Sequence, residues 1–348
     1  MIKYPKKLDT IFSKLKIHHI TPIIIGGYVR DFFLNINSKD IDIELYGINS
    51  LEKVITILEE FGSVNLVGKS FGVCKLNLDG LELDFSLPRK DSKISSGHKG
   101  FKIETDGFLS FKEAAKRRDF TINAIGYNPI SKKILDPFDA QKDLKNHILK
   151  AVDLEKFSED PLRVLRGVVF CARFEMKMDN QLKKLCSSMI EQKMLDELPR
   201  DRIFKEIKKI ITKAKKPSVG FKLLWKLSQK QLPNLKEDDF EEFLKLTDKI
   251  TTIKLTQKEL NKLTNIILTI LDNSTCQKEL EKELISITNP TSLLQGRDLI
   301  ELGLKPSKRF STILKKAYEA QLNGEFKDIK NAKIYLKNLL SQDSHFSF

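Results

Sequence analysis

Residues 21–46 read TPIIIGGYVRDFFLNINSKDIDIELY, and the reading of this stretch decides the fold. Ile23, Ile24 and Ile25 are a short β-branched run that suits a buried strand. Gly26 and Gly27 interrupt it. YVRDFFL then places apolar residues at helical spacing, so the glycine pair sits between a strand and a helix N-terminus. Such a turn lets backbone N–H groups approach a phosphate closely, and the helix end adds partial positive charge. Arg30, in the first turn, adds a full one. Ten residues further on, Asp40-Ile41-Asp42-Ile43-Glu44-Leu45 alternates acid with apolar side chain, as a strand with one buried face does. Asp40 and Asp42 then point the same way, about 7 Å apart along the strand. Paired carboxylates suit Mg²⁺, which prefers a few carboxylates together with substrate phosphates. Singly, a GG turn is an ordinary turn and a D-x-D an ordinary solvated strand face. Their order and spacing carry the chemical reading.

The chain has 348 residues, enough for two or more domains, and a net charge of +14. That excess favours a polyanionic partner such as nucleic acid. No apolar run approaches a membrane span. The basic N-terminus MIKYPKKLDTIFSKLKIHH lacks the apolar core and cleavage site of a signal peptide, so a cytoplasmic location is expected. Cys74, Cys171, Cys186 and Cys276 have no C-x-x-C spacing and read as buried free thiols.

Outward from the opening stretch, residues 1–20 suggest a short amphipathic helix and Leu51 to Phe61 another. Val64 to Val67 and Val73 to Leu78 read as strands, the second ending in an Asp79-Gly80 hairpin turn. LELDFSL then alternates: Leu81, Leu83, Phe85 and Leu87 on one face, Glu82, Asp84 and Ser86 on the other. Asp84 reads equally as a third carboxylate beside Asp40 and Asp42 or as a solvent-facing acid. Gly68-Lys69-Ser70 ends like a P-loop, but the required first glycine is displaced by one residue and no long helix follows. Residues 88–112 are polar and basic and read as a long functional loop, with His98 a surface residue. In Arg117-Arg118-Asp119-Phe120-Thr121-Ile122-Asn123-Ala124, the arginines suit phosphate. Asp119 and Asn123 suit ribose hydroxyls or each other. Beyond about residue 150 the pattern is helical throughout. Ser158 reads as an N-cap with Pro161 in the first turn, and Asp160, Arg163 and Arg166 form one helix row.

The pattern Gly26-Gly27-x-Val29-Arg30-Asp31…Asp40-x-Asp42 resembles the signature of polymerase β superfamily nucleotidyltransferases. More narrowly, it is similar to the class II tRNA nucleotidyltransferase and bacterial poly(A) polymerase family. Arg117–Ala124 matches that family's RRDFTINA motif at every position. Asp136-Pro137-Phe138-Asp139 with Asp143-Leu144, Glu159-Asp160-Pro161-Leu162-Arg163 and Leu198–Glu206 resemble its later motifs. Residues 295–326 resemble its C-terminal segment, whose Lys and Arg residues are expected to hold RNA. The run Arg163, Arg166, Val169 departs from the family's RxxRxxRF, which puts a phosphate or base contact in doubt unless Arg173 replaces it. Arg202 and Glu206 read as structural. No His-Asp dyad of a phosphohydrolase module is present.

The resemblance implies an α+β fold. A nucleotidyltransferase head with a small mixed sheet (1–148) would be followed by an all-α neck (149–215), body (216–290) and tRNA-binding tail (291–348). It implies addition of C, C and A to the tRNA 3′ end from CTP and ATP, with pyrophosphate released. Asp40 and Asp42, with Asp84 as the candidate third carboxylate, would hold two Mg²⁺ ions. Gly27, Arg30 and Arg118 would grip phosphates, and Asp119 and Asn123 would lie at the nucleotide. A carboxylate accepting an exocyclic amine and a guanidinium donating to a ring nitrogen would pass cytosine and adenine and refuse uracil and guanine. The family's EDxxR motif is understood to act so, through Asp160 and Arg163 here, with Arg166 in support. The alternatives are a poly(A) polymerase, an enzyme adding only CC or only A, and, from another class, an inactive RNA-binding protein. The length of the 88–112 loop favours full CCA addition by resemblance. Neither DNA nor a membrane is expected as a partner, and the sequence names no protein partner.

Overall fold

The computed structural model describes residues 2–66, 72–93, 101–229, 237–250, 257–271, 280, 284, 292–304, 306–307, 309–322, 325–326 and 328–342. They form two compact units, 1–214 with 219–232, and 215–218 with 233–348. The P-loop look-alike at 68–70, His98 and Cys276 lie outside the described residues.

The first unit opens with α1 (Leu8–Ile17) and β1 (Thr21–Ile25), which the glycine pair joins to α2 (Gly27–Phe33). Then come β2 (Ile41–Tyr46), α3 (Glu52–Glu59), β3 (Ser63–Leu66), β4 (Val73–Leu78) and β5 (Leu81–Ser86). A separate hairpin, β6 (Arg89–Lys93) with β7 (Phe101–Thr105), leads to α4 (Phe111–Ala115). After a 3₁₀ turn at Thr121–Asn123, β8 (Gly126–Asn128) and β9 (Lys133–Leu135) return to the main sheet. Its seven strands run in the order β3-β4-β5-β2-β1-β8-β9. β2 and β5 are parallel and the other neighbours antiparallel, so the sheet is mixed.

The period-2 alternation explains how the sheet divides core from site. Ile41, Ile43, Leu45, Leu83 and Phe85 are buried against Leu8, Ile11, Phe12 and Leu15 of α1 and Val54 and Leu58 of α3. Each such side chain contributes about 1.5–3 kcal/mol on burial. A one-residue slip would expose the whole set. That fixes Asp42, Glu44 and Asp84 on the opposite face. Between β4 and β5, Asp79 (φ +48°) and Gly80 (φ +76°) make a two-residue turn that sets Leu78 opposite Leu81.

The 88–112 segment corrects the loop reading, because it carries β6, β7 and α4. Ser110 caps α4 by accepting from the Glu113 N–H, while the Glu113 carboxylate accepts from the Ser110 N–H. The S-x-x-E spacing of this capping box was present in the sequence.

Helices then dominate: α5 (Ala140–Lys145), α6 (Leu154–Ser158), α7 (Leu162–Phe174), α8 (Asn180–Glu191), α9 (Arg200–Lys213) and α10 (Pro217–Leu227). One short exception is the parallel pair β10 (Ile148–Leu149) and β11 (Lys177–Met178), which corrects the expectation of no strand beyond residue 150. Two-residue strands leave no alternation to read. Ser158 is also corrected. It ends α6 by donating to the Glu155 carbonyl, whereas Asp153 caps that helix and Asp160 accepts from the Leu162 N–H at the start of α7. Cys74, Cys171 and Cys186 are free and buried, and burial pushes each thiol up to about 12.

The second unit holds α11 (Glu237–Lys249), α12 (Gln257–Leu271), α13 (Gly296–Glu301), α14 (Arg309–Leu322) and α15 (Ile329–Gln342). Its last three helices share a core built on Leu299, Ile313, Ala317, Ala332 and Leu336. Among the described residues no helix is long and apolar enough to cross a membrane.

Candidate active site

The turn after β1 is where the sequence signal is sharpest. Gly26 adopts φ +64° and ψ −121°, a conformation strained for a residue with a Cβ. A Cβ there would also stand 3.1 Å from Arg118 Nη1. Gly26→Ala is therefore expected to cost about 1–2 kcal/mol and to displace Arg118. A Michaelis constant for nucleotide that rises along with a lower urea midpoint would report both effects.

Ile25 pairs with Asp42 across β1 and β2, and Asp42 pairs with Asp84 across the parallel β2–β5 ladder. Two aspartates 42 positions apart in the chain thus stand side by side next to the glycine turn. Asp40 precedes β2 by one residue and is exposed. Asp42 has solvent access on one side and protein around the rest. That desolvation, then the charge of Asp84, raises its carboxyl above the usual carboxylate range; Asp40 adds to the effect, and Arg118 and Lys75 oppose it. Lys75, opposite Asp84 on β4, places its Nζ 3.1 Å from Asp84 Oδ1. Among the described residues no set of three or more acid, His or Cys side chains converges closely enough to hold a metal as it stands. The donor type nevertheless fits a hard divalent cation. Adjacent carboxylates that repel one another are relieved by such an ion, which would take the place of the Lys75 ammonium at Asp84.

Next to the turn lies a cleft of about 420 Å³, lined by Gly26, Gly27, Asn123, Leu162, Phe170, seven arginines and three aspartates. All the nucleotide-binding candidates of the sequence reach it: Gly27, Arg30, Arg118, Asp119, Asn123, Asp160, Arg163 and Arg166. Asp42 and Asp84 stand beside its glycine edge rather than on its lining.

The candidates do not all have free hydrogen-bonding groups. Arg30 is buried, donates from Nε and Nη2 to Asp31 Oδ1 at 2.8 and 2.6 Å and from Nη1 to Asn123 Oδ1 at 2.7 Å, and lies over the rings of Phe170 and Phe174. It serves as a fixed charge beneath the site more than as a mobile grip. Asp119 accepts from Asn123 Nδ2 at 2.9 Å and from Arg166 Nε and Nη2 at 2.8 and 2.6 Å, so the Asp119–Asn123 pairing is realised within the protein. Burial pushes the Asp119 carboxyl up, but the Arg166 charge and the hydrogen bonds from Asn123, Arg166 and the Phe120 N–H outweigh it and leave it below the usual range. Arg163 donates to the carbonyls of Lys156 at 2.8 Å and Arg117 at 3.0 Å.

Other donors remain unmatched. Buried Arg117 Nε, Arg118 Nη2 and Arg202 Nη1 have no hydrogen-bond partner, whereas Arg89 Nε stands 3.0 Å from Asp91 Oδ1, and all these side chains line the cleft. Buried donors are normally satisfied, so unmatched arginine donors in the walls of one cleft suit an anionic ligand.

Arg202, read as structural, lines the cleft. Four contributing residues were missed altogether. Glu44, 1% exposed, accepts from Arg117 Nη2 at 3.0 Å and from the Tyr46 hydroxyl at 2.6 Å; its place on the alternating face was the available signal. Arg89 and Asp91 come from the hairpin taken for a loop. Phe170 holds Arg30 and Arg166 against its ring. Val169, where the family usually has arginine, is buried in α7. Arg173 lies over Phe174 and is absent from the cleft lining.

Residues 23–150 match the family described as Poly A polymerase head domain. The matched segment spans the glycine turn, both strand carboxylates and the RRDFTINA segment. Over 204 residues the chain is 36% identical to a CCA-adding enzyme of Buchnera aphidicola subsp. Baizongia pistaciae, covering 58% of this chain and 46% of that one. Over 186 residues it is 34% identical to a Multifunctional CCA protein of Neisseria meningitidis serogroup C, covering 53% of this chain and 42% of the relative. The chain thus spans about half the length of the curated relatives it matches. In structure it is similar to a tRNA nucleotidyltransferase complexed with a primer tRNA and an incoming ATP analog. The TM-score is 0.61 and the identity 22%, with 95% of this chain and 99% of that one covered, so the shared feature is the fold. The matched segment thus sits in an α+β chain whose fold is similar to that structure's.

Proposed function

We propose that the chain is a template-independent RNA nucleotidyltransferase that adds C, C and A to the 3′ end of tRNA from CTP and ATP, releasing pyrophosphate. The observation that carries this reading is the in-register Asp42–Asp84 pair at the edge of a cleft whose buried arginine donors have no partner. Acids beside a cleft with more arginines than carboxylates suit a metal–triphosphate substrate. Asp40 and Asp42, joined by Asp84, would hold two Mg²⁺ ions, which when bound lower the pKa of the RNA 3′-hydroxyl and neutralise the leaving pyrophosphate.

The other roles belong to the chain. Arg118, whose Nη1 lies against the glycine turn, would meet the phosphates there, with the buried Arg30 charge behind it. Asp160 has an oxygen free of the Leu162 N–H with which to accept a base amine. Each terminal nitrogen of Arg163 keeps one N–H beyond those given to carbonyls, so it can still donate to a ring nitrogen. Arg166 and Asp119 hold the floor beneath them. On this reading residues 1–148 perform the transfer, 149–215 select the base, and 216–290 and 291–348 hold the RNA by backbone and shape, in the cytoplasm. The relatives named as CCA-adding enzymes support it.

Purified protein with Mg²⁺ would be given tRNA transcripts lacking CCA, ending after one C, or ending after two, each with CTP, ATP or both. Stepwise growth by three nucleotides ending in A is the expected result. Growth from only one of the end states would assign a CC-only or A-only role, and long A tails a poly(A) polymerase. No incorporation on any RNA would leave an RNA-binding protein.

A further inference from the structure

The most buried acid facing the site is Glu44, which the reaction described above does not use. It sits two residues beyond Asp42 on the same face of β2, and it is 1% exposed. A carboxylate removed from water at such a place is costly unless it is paired. Its partners are cleft residues. Arg117 Nη2 lies 3.0 Å from Glu44 Oε1, Arg118 Nη2 lies 3.7 Å from the same oxygen, and the Tyr46 hydroxyl donates to Oε2 at 2.6 Å. The longer distance is an ion pair without a hydrogen bond, so Arg118 is placed by Glu44 yet keeps its donor unspent. Arg117 passes the placement on, because its main-chain carbonyl accepts from Arg163 Nη2 at 3.0 Å. A chain of contacts therefore runs from the strand bearing Asp42, through Glu44 and Arg117, to the helix bearing Arg163.

We infer that Glu44 is a positioning residue for the incoming nucleotide, holding Arg118 at the phosphate end and, through Arg117, Arg163 at the base end. The inference rests on the nucleotidyltransferase reading. A carboxylate whose only task is to neutralise buried arginines would influence folding stability alone. A positioning carboxylate also sets nucleotide affinity and base choice in the folded molecules. Its two arginines are adjacent in sequence and diverge in use, which is why one acid can register both ends of a ligand.

Glu44→Gln keeps the side-chain shape and removes the charge; Tyr46→Phe keeps the charge and removes one brace. Steady-state incorporation on a CCA-lacking tRNA, per folded molecule by circular dichroism, is expected to show at least a tenfold rise in KM for CTP and ATP with Glu44→Gln. The fall in kcat should be smaller, and UTP misincorporation should increase. Tyr46→Phe is expected to shift KM in the same direction by a few-fold. A lower melting temperature with unchanged KM and unchanged base selection would reduce Glu44 to a structural counter-ion. A lowered KM would show it to be an anion competing with the triphosphate. Either result overturns the inference while leaving wild-type incorporation, and so the nucleotidyltransferase reading, intact. If the wild-type protein itself incorporates nothing, that reading falls and the inference with it.

Discussion

Asp42→Asn is expected to reduce nucleotide incorporation by roughly 10³-fold or more, because several kcal/mol of transition-state charge stabilisation is lost with a metal-holding carboxylate. RNA affinity should stay within about twofold, since phosphate attraction depends on the arginines and lysines. The same change should stabilise the protein without ligands. The Asp42 carboxyl is raised above its usual range first by desolvation and then by Asp84. An acid raised in this way destabilises the fold where it is ionised. The penalty is therefore present above its folded pKa and disappears as pH falls below its unfolded value. Asparagine removes it at every pH, for a gain of no more than about 1 kcal/mol, because water screens the exposed carboxylates. Filter binding, primer extension and urea unfolding on one preparation test all three parts. Parallel loss of RNA binding and activity would disprove the metal assignment or reveal a damaged fold.

Asp119→Ala should produce the second large effect, on stability. Asp119 is 8% exposed and accepts four hydrogen bonds, from Asn123, the Phe120 N–H and two Arg166 nitrogens. Alanine strands Arg166 and Asn123 together. Removing one partner of a buried pair costs about 3–5 kcal/mol, and partial exposure of Arg166 points to the lower end. Since the folded carboxyl lies below its usual range, the stabilisation is present above the unfolded pKa of about 4 and is lost as pH falls through the folded value. The wild-type and alanine unfolding curves should thus converge at strongly acid pH. A loss below about 1 kcal/mol at neutral pH would mean that Arg166 finds another anchor.

The strand–glycine–helix order and the face of β2 were legible because period-2 alternation and the φ demand of Gly26 are local properties. The alternation of LELDFSL placed Asp84 on the right face, but only the parallel pairing of β2 with β5 brings it level with Asp42, and one sequence does not encode which strands pair. Arg30 shows the opposite limit. Its type and position fitted a phosphate, yet its donors turn inward to Asp31 and Asn123, the latter supplied by a segment 93 residues away. The β6–β7 hairpin was hidden because RKDSK offers no apolar alternation, and Ser158 because two short helices meet where one had been expected.

The β2–β5 pairing also has a consequence for synthesis on the ribosome. Asp84 is translated 42 residues after Asp42, and Arg118, Arg163 and Arg202 follow in that order. The nascent chain holds both aspartates before the cleft arginines of the RRDFTINA segment, α7 and α9. Closing such loops costs entropy that grows only slowly with length, so the delay lies in emergence more than in the search. Until α9 leaves the exit tunnel, the growing polypeptide lacks Arg202 and so the complete cleft. On the proposed function, capture of triphosphate should therefore begin late during elongation.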